Sequence, residues 1–447
     1  MKLELESKQL FQSVGPPRPQ SVAKQQALIE QLNTMLRLGL IVRSQASNYS
    51  QVVMVAKPNR PGVWRFCVDY RRLNECLVSM GWPIPNIDRL FARLGAKRAK
   101  LFAVLDLTSG YHQILLDQET RKVAAFITDY GVFEPVRLWM GIKSAPSYFQ
   151  QQMTKVLQGL IYDICEIYID DIIIFGRSEE EFLKNLDKVL KRLREYNLTL
   201  NPDKAKIGLT QLEYVGRVIN EQGVVMSDEK IRKVVEFPLP STPKQLKQFL
   251  GLVNYFRAHV RNFAQTATPL YELTEGYNET PSKRHAKMKW SEAHSAAFET
   301  IKDAIRANPL LHYVDEQLPI VVATDASDYG VGAYLYQVRR GENDQEEHQP
   351  IAFLSQALTK VQRRWSTIEK ECYAILYALR KWEHLLRDVH FTIHTDHRNL
   401  KYLNTNTPKV VRWKLAIQEF DFRVKHINGD TNVVADAFSR LCHHLCV

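Results

Sequence analysis

Residues 161–175 read Ile-Tyr-Asp-Ile-Cys-Glu-Ile-Tyr-Ile-Asp-Asp-Ile-Ile-Ile-Phe, so Asp170 and Asp171 stand side by side between two apolar runs. Adjacent carboxylates flanked by hydrophobic residues are expensive to fold. The pattern predicts a β-hairpin with its acids at the turn. Charges so placed repel each other unless a cation lies between them, and a divalent metal is the obvious candidate. A bare Asp-Asp is more often a solvated turn, but a second signal weighs against that reading here. Phe102-Ala-Val-Leu-Asp106-Leu107 is another apolar strand interrupted by one acid, and such an acid needs a partner. Three carboxylates on adjacent strands would make a two-metal site for phosphoryl transfer.

Working outward, 447 residues with 45% apolar content suffice for two or three domains with substantial cores. No run approaches the 18 or so uncharged apolar residues of a membrane span, so no membrane partner is expected. The N-terminal stretch has no signal-peptide core. Cysteines at 67, 76, 165, 372, 442 and 446 are scattered, which fits a reducing compartment better than a disulfide framework. The tail Cys442-His-His-Leu-Cys446 is too compressed for a zinc motif. The net charge is +11, and most of the excess lies in residues 1–235, with 33 basic against 25 acidic residues. A basic balance beside acidic metal ligands points to a polyanionic substrate.

Along the chain, residues 21–40 carry helical spacing. Val52–Ala56 and Trp64–Val68 read as paired strands around the basic turn Lys57–Gly62. Glu179–Tyr196 reads as an amphipathic helix. Short strands are expected over Gly208–Ile219 and Val224–Met226. Composition shifts at Phe237-Pro-Leu-Pro240, and a helical pattern then runs from Thr242 to Leu273, with Ser241 or Thr242 as N-cap ahead of Pro243. A new strand opens at Leu318–Thr324. A β-rich stretch to Leu354, a helix over Thr367–Leu386 and a strand over Val389–Thr395 follow. The boundaries this implies are 1–235, 236–315 and 316–447.

The last segment holds a second acidic constellation. Leu318–Asp325 and Phe391–Asp396 are apolar strands that each end on an acid. In the helix between them, Glu369 and Glu371 are two residues apart and cannot share a face. Ile368, Cys372, Ile375, Leu376 and Leu379 define the buried face, and Glu371 is the acid aimed at it. Asp436, in Asn-Val-Val-Ala-Asp436-Ala-Phe-Ser, has apolar neighbours that predict a docked helix. Asp325, Glu371, Asp396 and Asp436 at one sheet edge would make a second two-metal site.

Several ordered runs carry a resemblance. They are Trp64-Arg-Phe-Cys-Val-Asp-Tyr-Arg-Arg-Leu-Asn74, Pro83-Ile-Pro, Leu105-Asp-Leu-Thr-Ser-Gly-Tyr-His-Gln113, Met140-Gly-Ile-Lys-Ser-Ala-Pro146 with Phe149-Gln150, Tyr168-Ile-Asp-Asp171, Leu200-Asn-Pro-Asp-Lys204 and Phe249-Leu-Gly-Leu-Val-Asn-Tyr255. Thr324-Asp-Ala-Ser327, Glu369-Lys-Glu371, His394-Thr-Asp396 and Val434-Ala-Asp-Ala-Phe-Ser-Arg440 follow in the last segment. From about residue 45 to 440 the chain resembles the reverse transcriptase–ribonuclease H region of gypsy-type long-terminal-repeat retrotransposon polyproteins.

The resemblance implies a multidomain α+β and α/β chain: a right-hand polymerase of fingers, palm and thumb, then a ribonuclease H-like α/β domain. Fingers and palm would occupy 1–235, a helical thumb or connection 236–315, and the nuclease 316–447. Asp106, Asp170 and Asp171 match the polymerase metal triad, with the Leu107 carbonyl assisting. Arg65 matches a triphosphate contact, and Lys57 or Arg60 would assist. Tyr111 matches the aromatic that excludes a ribose 2′-hydroxyl by clash. Gly141 would let the backbone approach the nucleotide. Lys204 sits where the family has a lysine near the incoming nucleotide, and Leu212–Val218 resembles the primer-grip hairpin. Many relatives carry Pro-Phe-Gly where this chain has Trp139-Met140-Gly141, so Met140 would line the nucleotide pocket with a flexible side chain. Asp325, Glu371, Asp396 and Asp436 match the nuclease ligands, and His426 matches a histidine that aids product release.

The expected cofactors are two Mg²⁺ ions per site, with Mn²⁺ as an alternative. Expected partners are an RNA template, a DNA primer, dNTPs, the RNA–DNA hybrid, and the protease and integrase of the same polyprotein. The expected setting is a cytoplasmic virus-like particle, or the nucleus. Two other readings are a decayed or domesticated nucleic-acid-binding copy and an RNA-templated RNA polymerase. All seven acids stand in place, which argues against the first. Tyr111 and the appended nuclease domain argue against the second.

Overall fold

A computed structural model describes residues 1–6, 15–57, 60, 62–257, 259–260, 263–275, 288–328, 330–341, 345–395 and 408–427. Asp396, Asp436 and the Cys442–Cys446 tail lie outside the described residues. The chain divides into two compact units, Met1–Leu90 with Ala99–Val215 and Phe91–Arg98 with Gly216–Val447.

In the first unit, α1 (Val22–Arg37) buries Leu28, Leu32 and Met35 at helical spacing. The strands β1 (Ile41–Arg43), β2 (Ser50–Ala56) and β3 (Trp64–Asp69) follow. The chain continues through α2 (Arg71–Cys76), α3 (Ile87–Ala96, which from Phe91 on is counted with the second unit), β4 (Leu101–Asp106), α4 (Gln118–Val123), β5 (Phe126–Thr128) and β6 (Gly131–Pro135). It then forms α5 (Ala145–Val156), β7 (Cys165–Tyr168), β8 (Asp171–Gly176), α6 (Glu179–Glu195), β9 (Lys206–Leu209) and β10 (Leu212–Tyr214). Two sheets result. One has the order β1-β6-β5-β2-β3, and β2 and β3 pair from Gln51↔Asp69 to Ala56↔Trp64. The other has the order β7-β8-β4-β9.

The second sheet is floored by apolar side chains. Ala103 and Leu105 of β4 and Ile172 and Ile174 of β8 pack with Phe149 and Met153 of α5 and Phe182, Val189 and Leu193 of α6. Burying one such side chain contributes about 1.5–3 kcal/mol. Gly176 ends β8 where a Cβ would meet the Phe182 backbone nitrogen at 2.6 Å. Glycine is therefore required for α6 to turn back onto the sheet. The apolar run ahead of the turn begins at Ile161, but the strand begins only at Cys165. Residues 157–164 are spent on the turns that bring the chain back from α5, with Tyr162 at φ +72°.

The second unit opens with β11 (Arg217–Ile219) and β12 (Gly223–Met226), paired antiparallel, and α7 (Asp228–Val235). A helical module follows: α8 (Pro243–Asn254), α9 (Phe263–Glu275) and α10 (Glu292–Ala307). Its core holds Leu246, Phe249, Val253, Phe256, Leu270, Phe298 and Ile301. The helical pattern expected from Thr242 to Leu273 is thus two helices, broken after Asn254. Thr242 caps α8 in a capping box with Gln245.

Beyond β13 (Leu311–His312) come β14 (Ile320–Ala326), β15 (Gly330–Arg340), β16 (Glu346–Ala357), α11 (Thr367–Lys381), α12 (Glu383–Leu386), β17 (Phe391–Thr395), α13 (Pro408–Ile417) and β18 (Phe422–His426). The sheet order is β16-β15-β14-β17-β18, with β17 parallel to both β14 and β18. β14 is buried along almost its whole length, which accounts for its continuous apolar run. The single helix expected to Leu386 breaks at Trp382, whose φ of −106° and ψ of 19° leave the helical region. No described helix is long and apolar enough to cross a membrane.

Candidate active sites

The first site is built by strand register. Asp106 ends β4 and Asp171 begins β8, and the two are Cα partners across the antiparallel pair. Cross-strand partners share a face with Cβ atoms about 5 Å apart, where like charges destabilise. Asp170 lies in the two-residue turn between β7 and β8, beside Ile169 at φ +57°. A β-branched residue in the left-handed region is strained. It is held by neighbours: the Ile169 N–H donates to Oε1 of buried Gln150 at 2.7 Å, and the Tyr214 hydroxyl donates to the Asp171 carbonyl at 3.1 Å.

The electrostatics follow from this crowding. Burial, then Asp170 and Asp106, push the Asp171 carboxyl up to about 6. Burial and Asp106 also raise Asp170, partly offset by its own backbone and by Lys204. Lys204 Nζ pairs with Asp106 Oδ2 at 3.1 Å. The loop that carries it is tied down where the Asn201 N–H donates to the Asp106 carbonyl at 2.8 Å. Among the described residues no three acidic, histidine or cysteine side chains already converge on one ion-sized point. The donor set nevertheless fits a divalent cation: three hard carboxylates, two of them with raised affinity for protons and one shared with an ammonium. Leu107 is buried beside this cluster and bridges to Leu200.

Tyr111 lies in the short turn Gly110–Gln113, with its ring centroid 5.0 Å from that of Phe149. Burial and then Asp170 raise its hydroxyl to about 12, so it stays protonated at neutral pH. Gly141 has φ +98°, a conformation that L side chains rarely adopt. Asn74 fixes that turn from both sides: its Nδ2 donates to the Gly141 carbonyl at 2.8 Å, and its Oδ1 accepts the Lys143 N–H at 2.7 Å. Met140 is 63% exposed next to it. Arg65 is exposed on β3, sharing a face with Cys67 and Asp69. The Lys57 N–H donates to the Val63 carbonyl, closing the turn on which exposed Arg60 sits. No described hydrogen bond or ion pair joins Arg65, Lys57 or Arg60 to the three carboxylates. Gln150, Tyr214 and Asn74 had no role assigned in the sequence reading. Gln150 and Asn74 stand inside the quoted runs, which was the available signal.

In the second unit Asp325 is buried on β14 opposite Gly332. Glu371 is buried on α11, and its Oε1 accepts the N–H of Ala326 at 3.2 Å, so it reaches the end of β14 one residue beyond Asp325. Glu369 turns elsewhere. It closes the Ser366 capping box and pairs with Lys409 Nζ at 2.8 Å, which holds its carboxyl below the usual range. Lys409 in turn lies over the Trp365 and Trp413 rings. Lys370 reaches Asp328 at 2.6 Å, bracing the loop after β14. Thr395 ends β17 in register with His426 of β18. Asp396 follows directly and, like Asp436, lies outside the described residues.

Two family models match the chain. Residues 55–219 match "Reverse transcriptase (RNA-dependent DNA polymerase)", and residues 315–420 match "RNase H-like domain found in reverse transcriptase". The chain is 34% identical over 417 residues to the Pol polyprotein from transposon 297 of Drosophila melanogaster, covering 92% of this chain and 38% of that protein. It is 34% identical over 430 residues to the transposon Tf2-3 polyprotein of Schizosaccharomyces pombe, covering 95% and 31%. It thus spans about a third of each of these two relatives. In fold it is similar to the foamy viral protease-reverse transcriptase solved with an RNA/DNA hybrid (TM-score 0.74, 21% identity, 95% of this chain and 57% of that one). The same viral protein solved with dsDNA gives a TM-score of 0.74 at 22% identity, covering 95% and 89%. With a polymerase family matched over Asp106, Asp170 and Asp171 and a nuclease family over Asp325, Glu371 and Asp396, the chain belongs to the reverse transcriptase–RNase H family of retrotransposon Pol polyproteins.

Proposed function

We propose that this chain extends a primer 3′-end with dNTPs on an RNA template, or on a DNA template, and cuts the RNA strand of the resulting hybrid, in the replication of a retrotransposon. The observation that carries the reading is the Asp106↔Asp171 register, which puts two acids and the adjacent Asp170 on one sheet edge beside Tyr111. Asp106, Asp170, Asp171 and the Leu107 carbonyl would hold Mg²⁺, or Mn²⁺, at the first site. Asp325, Glu371, Asp396 and Asp436 would do so at the second. Bound there in pairs, divalent cations supply the charge that activates a hydroxyl or water and stabilises the leaving group.

The chain's own residues do the rest. Gln150 and Tyr214 fix the hairpin backbone so that Asp170 and Asp171 need no reorganisation. Lys204 screens Asp106 and stands ready to donate a proton. The Tyr111 ring, braced on Phe149, closes the space a ribose 2′-hydroxyl would need. The Gly141 turn, held by Asn74, presents backbone to the nucleotide, with Met140 on its rim. Arg65, with Lys57, contacts the triphosphate. Glu371 and Asp325 orient water at the second site, and His426 aids release of the cut strand. The foamy viral protein that shares the fold is titled as bound to hybrid and to dsDNA, which supports a duplex substrate here. Protease and integrase of the same polyprotein are the expected partners.

The test uses one end-labelled RNA template with an annealed DNA primer, Mg²⁺ and dNTPs. Extension and template cleavage are followed together for the intact chain, Asp170→Asn and Glu371→Gln. Loss of extension alone in the first variant and of cleavage alone in the second is the expected result. An intact chain that binds duplex but does neither would favour the alternative, a domesticated scaffold.

A further inference from the structure

We infer that Arg257 is a positioning residue for the nuclease: it locks the ribonuclease H-like sheet onto the helical module and so sets where the RNA strand is cut. The inference rests on the proposed function and adds the feature that fixes its geometry.

Arg257 follows α8 and is half-buried. Its Nη2 donates to the Ser355 carbonyl at 2.6 Å and to Gln356 Oε1 at 3.4 Å. Its guanidinium also lies 5.9 Å from the Phe263 ring centroid. Ser355 is buried, and its Oγ accepts the N–H of Ala264, in the first turn of α9, at 3.2 Å. Two neighbouring residues of the edge strand β16 are thus gripped from two points of the helical module. Gln356 passes the contact on, since its Oε1 also accepts the Tyr377 hydroxyl at 3.1 Å. Tyr377 lies on α11, six residues beyond Glu371, or about 9 Å along the helix.

The chemistry suits a spacer better than a generic packing contact. Among the described residues Arg257 has no carboxylate partner. Its charge is spent on a main-chain carbonyl and an amide, so it reads the position of the β16 backbone. Both bonds come from one nitrogen, Nη2, whose N–H groups are held in the guanidinium plane and so fix angle as well as distance, which a freely rotating ammonium does not. Nucleic acid advances about 3.4 Å per nucleotide along a strand. Slippage of the nuclease by a few ångströms therefore moves the cut by about one nucleotide.

The experiment maps cuts in the full-length chain under single-turnover conditions without dNTPs, on an RNA template hybridised to a DNA primer and measured from the primer 3′-end. The intact chain is expected to cut in a narrow window. Arg257→Ala should spread the cuts by one or more nucleotides, while extension and the cleavage rate on a short hybrid stay within about twofold. Arg257→Lys should fall between. Tyr377→Phe, which removes one hydroxyl, should broaden the window slightly, and it decides the matter if Arg257→Ala fails to fold. An unchanged window in Arg257→Ala, or in Tyr377→Phe where that variant decides, overturns the inference. Absence of cutting by the intact chain, or cutting that survives Glu371→Gln, overturns the functional reading instead.

Discussion

At the residue scale, the polymerase hairpin depends on polar side chains whose partners are backbone groups. Gln150 is buried and takes the N–H of a strained Ile169. Gln150→Leu leaves that N–H without its acceptor and should cost about 1–3 kcal/mol. Extension should fall by an order of magnitude while cleavage of a short hybrid is unchanged, since the affected groups belong to the first unit. Paired chemical denaturation and primer-extension rates check this, and equal losses of both activities would contradict it. Tyr111→Val removes the ring braced on Phe149. Ribonucleotide discrimination, measured as the ratio of kcat/KM values for dNTP and rNTP, should drop by roughly a hundredfold. An unchanged ratio would place the sugar elsewhere.

At the element scale, Thr242 ends a Pro-rich link and starts α8, with its Oγ on the Gln245 N–H and the Gln245 side chain returning to the cap. Thr242→Ala should destabilise the second unit by about 1 kcal/mol, seen as a lower melting temperature with no change in the initial extension rate. This cap was legible in advance, as Ser/Thr before Pro followed by apolar helical spacing. So were the β2–β3 pair, the β7–β8 hairpin and the Glu371 face of α11, because each repeats a period over enough residues to be read. β1 and β5 were not legible, since three residues carry no period. The break at Trp382 was hidden because apolar spacing continues through it. Gln150 and Asn74 stood inside recognisable runs, but their partners lie 19 and 67 residues away, and no local pattern encodes such a bond. Asp396 and Asp436 fall outside the described residues, so for half of the second constellation the sequence is the guide.

At the scale of the whole molecule, charge and one buried histidine set the response to solution conditions. With a net charge of +11, duplex affinity should weaken steeply with salt, by roughly a thousandfold between about 50 and 200 mM. A flat salt titration would contradict backbone-dominated binding. His259 is buried in the helical module, and its ring nitrogens have no hydrogen-bond partner among the described residues. Burial, with a smaller push from Arg217, lowers it to about 3. The unfolded chain takes up this proton near pH 6.5, but the folded chain does not. The contribution is therefore intact above pH 6.5 and is lost as pH falls from there toward 3, by up to about 1.4 kcal/mol per unit. The intact chain should therefore lose stability relative to His259→Leu as pH falls over that range. Parallel denaturation profiles would show that His259 finds a proton acceptor.

The Asp106↔Asp171 register has a consequence for how mutants of this protein would be interpreted. Side chains in a strand alternate faces, so a slip of one residue between β4 and β8 would send one acid into the apolar floor and an isoleucine to the surface. The proposed reacting centre is therefore a readout of how the hydrophobic layer beneath it meshes. A volume change at Leu105 or Ile172, neither of which need touch nucleic acid, could silence synthesis as thoroughly as loss of an acid. In a genetic screen such core lesions would be scored as catalytic ones.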